Sequence, residues 1–408
     1  MINLSVAPLF ICSIYLLLAA NTDAQSQPAQ YERPQIYFGM WTDTQSPKAM
    51  NSRLGFNVSA YQFAQPIPLT TYPAPGFLLD QTDTDAALFV TVYPTYLNGV
   101  SNYHLRALGE QLCAYTTPES RPYFRYHRTS YPRTSRAVFL RFAPEMQGRW
   151  NSYGHKPYAF LRLWRRMYRT VKRVCPSVAI VWAPNTGQGY PYQQTYTDNA
   201  RDFRLLDTDG DGRLTKNDDP YEPYYPGDEY VDWIGLSIYY KGPNGRNFNV
   251  PQREGYCSDV ISGRTGTSDF NWYDKYCHKP GKACMIVESG AAWHASYSDD
   301  WNSRRRDARI RLQQAWWRDC ITSRKLYETY PRIKLTMHFE FRKIEEDGGV
   351  RDWRDYRITS DQKMLQLFRH DLNQVRDLFV EATSRGRSRN QEINEGEYDN
   401  EGNEYEDQ

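Results

Sequence analysis

The chain has 408 residues, which is long enough for one large domain with a sizeable core. Its formal net charge of +2 gives no reason to expect nucleic acid or an acidic membrane as a partner. The composition is instead rich in aromatic residues, with 33 Tyr, 17 Phe and 11 Trp. Tyr and Trp combine an apolar ring with a polar group and therefore suit sugar surfaces, although core packing is the more common use of such rings.

The chain begins with one apolar block, residues 6–20, which is followed by small residues at Thr22 and Ala24. The block is shorter than the roughly 20 residues that a transmembrane helix needs. We therefore predict a secretory signal peptide over residues 1–24 and a secreted, extracellular protein with no membrane association after its removal. An uncleaved anchor is the alternative.

Eight strand-like apolar runs follow, with helix-like segments between several of them. The runs are residues 35–41, 54–59, 87–93, 137–143, 178–183, 231–239, 284–287 and 334–340. The helix-like segments include residues 103–115, 158–174 and 304–323. Continuous apolar runs are typical of parallel strands covered on both faces. The pattern predicts an α/β fold, a (β/α)8 TIM barrel with loop insertions that occupies residues 25–380.

Two glutamates stand at the ends of strand-like runs. Glu145, in residues 141–150 (RFAPEMQGRW), follows the fourth run, and Glu288, in residues 283–290 (ACMIVESG), follows the seventh. Because TIM barrels carry their active sites at the carboxyl ends of the strands, both side chains are predicted to face one site. One protonated and one ionised carboxyl group are the minimum that cleavage of a glycosidic bond requires.

These motifs resemble those of glycoside hydrolase family 26, which usually has HEMNGxW where this chain has PEMQGRW (144–150). Residues 224–236 (YYPGDEYVDWIGL) are similar to the family's approach to its sixth strand. The resemblance covers about residues 35–345 and is to a divergent, secreted fungal-type branch. It implies a retaining, β-mannanase-like glycoside hydrolase with a double-displacement mechanism, in which Glu145 is the proton donor and Glu288 the nucleophile.

Two positions depart from the family pattern. Pro144 stands where the family has His, and Gln147 stands where it has Asn. Both positions are expected in the sugar pocket, so they weigh against strict mannan specificity more than against hydrolysis. The alternative hypothesis is a catalytically weakened barrel of the same family that binds a cell-wall or extracellular polysaccharide. The glycan itself and the endo or exo mode stay open.

Further side chains are candidates for contacts with the substrate or with the two carboxylates. Tyr239, at the end of the sixth run, is predicted to donate its hydroxyl to the nucleophile, and Arg141 is predicted to orient the carboxylates. His338 and Glu340 end the eighth run and are candidates for the lining of the site. The candidates for stacking on sugars are Trp150, Trp182 and Trp293. Core packing is the alternative for each of these residues.

Residues 207–218 (DTDGDGRLTKND) match the pattern of a calcium-binding loop. The predicted ligands are Asp207, Asp209, Asp211, the backbone carbonyl of Arg213, and Asp218. An Asp at the twelfth position resembles the loops of cellulosomal dockerin modules. We predict a structural calcium in an insertion between the fifth and sixth strands, and no cofactor for catalysis. A solvated acidic loop without an ion is the alternative.

The remaining features concern the cysteines and the end of the chain. An even number of cysteines in an exported protein favours disulfides, but the pairing stays open. The six outside the signal peptide are Cys113, Cys175, Cys257, Cys277, Cys284 and Cys320. Asn57 begins a glycosylation sequon, and residues 381–408 are predicted to form a disordered acidic tail. We expect a monomer whose partner is its polysaccharide substrate.

Overall fold

A computed structural model describes residues 35–68, 77–116, 136–195, 197, 199–243, 249–265, 270–295, 303–347 and 350–384. The predicted signal peptide and most of the predicted tail lie outside these residues, so both stay predictions. None of the helices within the described ranges is long and apolar enough to cross a membrane.

Eight parallel strands close into a barrel. They are β1 (Ile36–Thr42), β2 (Ala60–Ile67), β3 (Ala87–Pro94), β4 (Val138–Phe142), β5 (Ala179–Trp182), β6 (Trp233–Tyr240), β7 (Cys284–Ala291) and β8 (Ile333–Glu340). Each strand pairs with the next, and β8 pairs with β1, where Met40 lies opposite His338. A short strand, Phe379–Val380, also pairs in parallel with the start of β1. The predicted (β/α)8 barrel is therefore confirmed.

Helices surround the barrel. They are α1 (Pro47–Leu54), α2 (Phe77–Asp80), α3 (Asn102–Thr116), α4 (Pro157–Val174), α5 (Ala200–Leu206), α6 (Tyr256–Ser262), α7 (Ser303–Cys320), α8 (Arg324–Thr329) and α9 (Gln362–Gln374). Local sequence sets the bounds of α1: the Ser46 side chain accepts a hydrogen bond from Ala49 N–H, and Gly55 ends the helix in the left-handed conformation.

The core has an inner and an outer part. Apolar side chains fill the interior of the barrel, among them Phe89, Phe139, Val181, Met285 and Met337. A larger cluster lies between the strands and the helices, where α4 buries its apolar stripe of Phe160, Leu163, Trp164, Met167 and Val171. Because the barrel interior is packed, polar side chains at the carboxyl ends of the strands lie on a layer of apolar side chains and not over an open pore.

Two parts of the architecture differ from the sequence-based prediction. The second strand is β2, not residues 54–59, because Leu54 ends α1 and the chain turns at Gly55 before the strand begins at Ala60. An antiparallel sheet, which the sequence did not predict, is formed by residues 293–294, 342–347 and 350–355. It follows the ends of β7 and β8 and therefore lies at the end of the barrel to which the carboxyl ends of the strands point.

Two disulfides link elements of the fold. Cys257–Cys320 joins α6 to the end of α7, and Cys277–Cys284 joins a π-helical turn (Tyr273–His278) to β7. The Thr116 hydroxyl lies 3.8 Å from the sulfur of Cys113 and 3.5 Å from that of Cys175.

At the sequon, Asn57 Nδ2 donates to Ser384 Oγ at 3.4 Å, and its glycosylation stays a prediction.

Candidate active site

Glu145 and Glu288 both lie at the mouth of the barrel, the end where the strands present their carboxyl termini. Glu145 is the third residue after β4, and its N–H donates to the carbonyl of Ala183 at 3.0 Å. Its φ of 53° and that of Ala143, 45°, lie in the left-handed region that residues with side chains rarely adopt. Glu288 lies within β7, opposite Ser237 of β6. A strained turn after β4 thus sets the position of one acid, and a regular strand sets the other.

One arginine contacts both carboxylates. Arg141, on β4, is fully buried, and its guanidinium donates to Glu288 Oε1 in a salt bridge. Its other terminal nitrogen donates to Ser237 Oγ at 2.7 Å and lies 4.0 Å from Glu145 Oε1. Because one planar guanidinium reaches both acids, the two carboxylates converge on the same side of the mouth. The buried cation also offsets part of the cost of burying them.

Glu288 has a hydrogen-bond donor on each oxygen. The hydroxyl of Tyr239, at the end of β6, donates to Oε2 at 2.8 Å. Burial, and then the Glu288 charge, raise the pKa of Tyr239 well above its ordinary value, so this hydroxyl keeps its proton and acts as a donor. Arg141 and the amide of Gln62, at 3.4 Å, donate to Oε1. These donors hold the carboxylate in one orientation.

Glu145 lies in a different environment. The indole N–H of Trp150 donates to Glu145 Oε2 at 2.6 Å. Burial, and next the charge of Glu288, raise the pKa of Glu145, while Arg141 and the Trp150 N–H oppose this effect. A carboxyl group with a raised pKa keeps its proton closer to neutral pH, as a general acid must. The two glutamates are therefore suited to different tasks.

The two positions that depart from the family pattern both stabilise the turn after β4. The carbonyl of Pro144 accepts hydrogen bonds from the Tyr153 hydroxyl, at 2.8 Å, and from Asn151 Nδ2, at 3.1 Å. Gln147 is fully buried, and its amide bonds the backbone of Asn185 in both directions, at 2.7 and 3.2 Å. The expectation that Gln147 lies in the sugar pocket is wrong, because its amide is already engaged by the backbone.

Two of the tryptophans predicted to stack on sugars have opposite environments. Trp150 is 51% exposed and meets the ring of Tyr192 edge-on, with the centroids 5.1 Å apart. An open ring beside Glu145 suits a sugar face, and this role stays a prediction. Trp182 is fully buried, packs against Tyr225 and donates its indole N–H to the carbonyl of Tyr224 at 3.0 Å. The stacking role predicted for Trp182 is therefore wrong, because no ring face is accessible.

The other candidates for the lining of the mouth are also buried. Trp293 is 4% exposed and pairs with Asp355 in the small sheet. Its contact with a sugar stays a prediction. His338 and Glu340 contact each other at 3.1 Å, and Glu340 also accepts hydrogen bonds from Thr359. Burial favours the neutral acid, but these hydrogen bonds outweigh it and hold the pKa of Glu340 below its ordinary value. The pair anchors the chain after the small sheet, which corrects the expectation that it lines the mouth.

The loop 207–218 brings together three of its predicted ligands. One carboxylate oxygen from each of Asp207, Asp209 and Asp211 lies within 4.8 Å of the others, and Asp207 Oδ1 is buried without a hydrogen bond within the described residues. The carboxylate of Asp218 instead closes the loop, since it accepts the N–H groups of Thr208, at 2.6 Å, and Thr215, at 2.7 Å. Oδ1 of Asp218 also accepts the Thr208 hydroxyl and the Asp209 N–H, so only Oδ2, with its single donor Thr215, retains a lone pair for an ion.

Two residues of the site were not predicted from the sequence. Gln62 and Ser237 each bond a member of the Arg141–Glu288 pair. Ser237 lies two residues before Tyr239 on β6, so the alternation of a strand places both side chains on the same face. That spacing could have identified Ser237. Gln62 gave no comparable signal, because β2 itself was misplaced.

Comparison with solved structures returns proteins of the family that the motifs resemble. A family 26 endo-β-1,4-mannanase from Cellulomonas fimi is 12% identical, over 87% of this chain and 74% of its own, with a TM-score of 0.49. A family 26 β-mannanase from Bacteroides ovatus is also 12% identical, over 88% and 94%, with a TM-score of 0.49. No protein-family model and no curated protein matches the chain. These identities are too low to transfer a substrate or the role of a residue.

Proposed function

We propose that the protein is a retaining glycoside hydrolase that acts on a β-mannan or a related β-linked polysaccharide. The observation that carries this proposal is the contact of one buried arginine, Arg141, with both Glu145 and Glu288 at the mouth of the barrel. A guanidinium that neutralises only part of this acidic pair leaves one carboxyl able to hold a proton while the other is ionised. This division of protons is what the double displacement at a sugar requires.

The reaction proceeds in two steps. Glu288 attacks the anomeric carbon while Glu145 gives its proton to the glycosidic oxygen, so the C–O bond breaks and a covalent glycosyl-enzyme forms. Glu145, now ionised, then takes a proton from a water molecule, which attacks the anomeric carbon and releases Glu288. Tyr239 and Arg141 hold the nucleophile during both steps.

The test compares variants of the two acids on a panel of mannan, mixed-linkage glucan, xylan and chitin. Glu145→Gln and Glu288→Ala should each lower turnover by several orders of magnitude, because each removes one half of the mechanism. On aryl glycosides whose leaving group needs no proton, Glu145→Gln should keep its first step, whereas Glu288→Ala should lose it. Glu222→Gln is the matched control, since Glu222 is an exposed acid paired with Lys275.

Two outcomes would contradict the proposal. Near wild-type turnover in either catalytic variant would exclude the assigned roles. Binding of a polysaccharide by the wild-type protein without release of products would favour the alternative, a binding barrel of the same architecture.

We also propose that the loop 207–218 holds a structural calcium ion. Three converging carboxylates and the buried, unbonded Asp207 Oδ1 fit a hard cation that prefers oxygen ligands. Asp218 and the carbonyl of Arg213 complete the proposed ligand set. The ion would stabilise the insertion after α5, and no step of the proposed chemistry passes through it.

The proposal extends to the setting of the protein. An enzyme for wall polysaccharides acts outside the cell. The predicted signal peptide over residues 1–24 would export the protein, and disulfides such as its two form in oxidising compartments outside the cytosol. Sequencing the amino terminus of the exported protein would test cleavage after Ala24, and light scattering would test the expected monomer. An amino terminus that retains residues 1–24 would favour the uncleaved anchor.

A further inference from the structure

Gln62 is a buried amide beside the nucleophile that the proposed mechanism does not use. It lies on β2, and its side chain points into the mouth with the whole residue 2% exposed. Its amide nitrogen donates to Thr91 Oγ1, on β3, at 2.8 Å and to Glu288 Oε1 at 3.4 Å. Gln62 Oε1 is buried and has no hydrogen bond within the described residues.

The amide of Gln62 presents its nitrogen to Glu288 Oε1. A glutamine side chain can turn by half a revolution and exchange its oxygen and nitrogen. In that alternative orientation Gln62 Oε1 would face the carboxylate of Glu288, so that two acceptors would oppose each other. The amide instead presents its N–H groups and leaves its own oxygen unbonded, although a buried unbonded acceptor costs free energy. This orientation places the amide nitrogen against both Glu288 Oε1 and Thr91 Oγ1.

We propose that Gln62 is a positioning residue that holds the Glu288 carboxylate aligned for attack. The inference rests on the proposed role of Glu288 as nucleophile. The last torsion of a glutamate side chain is soft, so donors determine the plane of its carboxylate. Gln62 supplies such a donor from β2, while Arg141 and Tyr239 supply theirs from β4 and β6. The charged and titratable groups that face Glu288 are Arg141, Glu145, Tyr93, Tyr153 and Tyr239.

The test removes the donor and keeps the size of the side chain. Gln62→Leu should lower kcat by about 10-fold to 100-fold, the range for a lost hydrogen bond to a charged group, with KM little changed. The acid limb of the kcat/KM profile should move to higher pH, because the ionised carboxylate loses a donor. Thr91→Val should act in the same direction but more weakly. Gln62→Glu should be inactive near neutral pH and partly recover in acid, where its carboxyl group regains a proton to donate.

The matched control is Gln65→Leu. Gln65 lies on the same strand, is also buried, and bonds Gln111 of α3 through two amide hydrogen bonds of 2.8 and 3.1 Å. Loss of these bonds should lower the melting temperature but leave the pH profile of turnover unchanged. A purely structural role for Gln62 would give the same result for both glutamine variants.

A second readout keeps this inference separate from the proposed function. Carbon-13 NMR of labelled glutamate carboxyl groups, with the Glu288 signal assigned by its absence in Glu288→Gln, follows the titration without a substrate. A higher titration midpoint of Glu288 in Gln62→Leu supports the inference. An unchanged midpoint overturns it, even if Glu288 is the nucleophile. If no glycan is hydrolysed, the proposed function fails, and the NMR titration still decides whether Gln62 controls Glu288.

Discussion

Replacing Arg141 by leucine removes the one buried cation that the described residues place between the two proposed catalytic acids. Its guanidinium is fully buried, bonds Glu288 and Ser237 directly, and lies 4.0 Å from Glu145. Removal of one partner of a buried ion pair costs about 3–5 kcal/mol, because the charge left behind has no compensation. For a domain of this size that loss corresponds to a fall of about 4–7 °C in melting temperature. Turnover should fall as well, since the proposed nucleophile loses its buried ion-pair partner.

The effect of Arg141→Leu should depend on pH. The pKa of Glu145 is already raised by burial and by Glu288, and Arg141 opposes this, so its removal should raise that pKa further. A carboxyl group whose pKa is higher in the folded than in the unfolded state stabilises the fold fully at pH values below its unfolded pKa. This contribution is lost as the pH rises through the folded pKa. The stability gap from the wild type should therefore be small in acid and open towards neutral pH.

Urea denaturation of both proteins across this pH range measures the gap directly. Arg136→Leu is the matched control, because it breaks another buried arginine pair, with Asp80 at 2.7 Å. Arg136 precedes β4 and so lies at the end of the barrel opposite the mouth. The control should lose stability but keep turnover. A gap for Arg141→Leu that does not change with pH, or wild-type turnover in this variant, would refute the reasoning.

Three further predictions follow from the loop, the disulfides and the turn after β4. Calcium should raise the melting temperature relative to chelator, because an ion that binds only the folded state stabilises it, and equal melting temperatures would reject an ion in the loop 207–218. Removal of Cys257–Cys320, with a sequence separation of 63, should cost about 2 kcal/mol more than removal of Cys277–Cys284, with a separation of 7, since the longer loop gains more chain entropy when unfolded. Equal losses in denaturation would contradict that estimate. Pro144→His adds a side-chain donor beside Glu145, so kcat/KM on mannan should rise relative to mixed-linkage glucan, and a wild type already selective for mannan and indifferent to the change would exclude this role.

The sequence was sufficient for most of the barrel because its strands are continuous apolar runs. Seven of the eight predicted strands begin within two residues of the structural bounds, as β3 and β4 illustrate. The failure at β2 has a physical cause. That strand contains Gln62, Gln65 and Pro66, so it lacks the apolar pattern by which the other strands are recognised. Gln62 contacts Glu288 at the mouth, and Gln65 bonds Gln111 of α3. These contacts need polar residues where the other strands have apolar ones, so the pattern of a strand is lost.

The candidate site was only partly predictable. Glu145, Glu288, Tyr239 and Arg141 were found because each lies at or near the end of an identifiable strand. Trp182 has the same position in its strand, yet its side chain points to the outer core. Strand position alone does not separate the two faces when both are apolar, since alternation carries no signal there.

Closure of the barrel joins residues from opposite ends of the described chain, such as Met40 and His338, and Ile36 and Phe379. Contacts between residues so far apart in the sequence cost much chain entropy and form slowly during folding. Until β8 docks, the edges of β1 and β7 carry unpaired backbone groups that can pair with other chains. A nascent chain therefore cannot complete its sheet before β8 leaves the ribosome. Refolding should accordingly give the highest yield at low protein concentration, where closure within one chain outpaces association between chains.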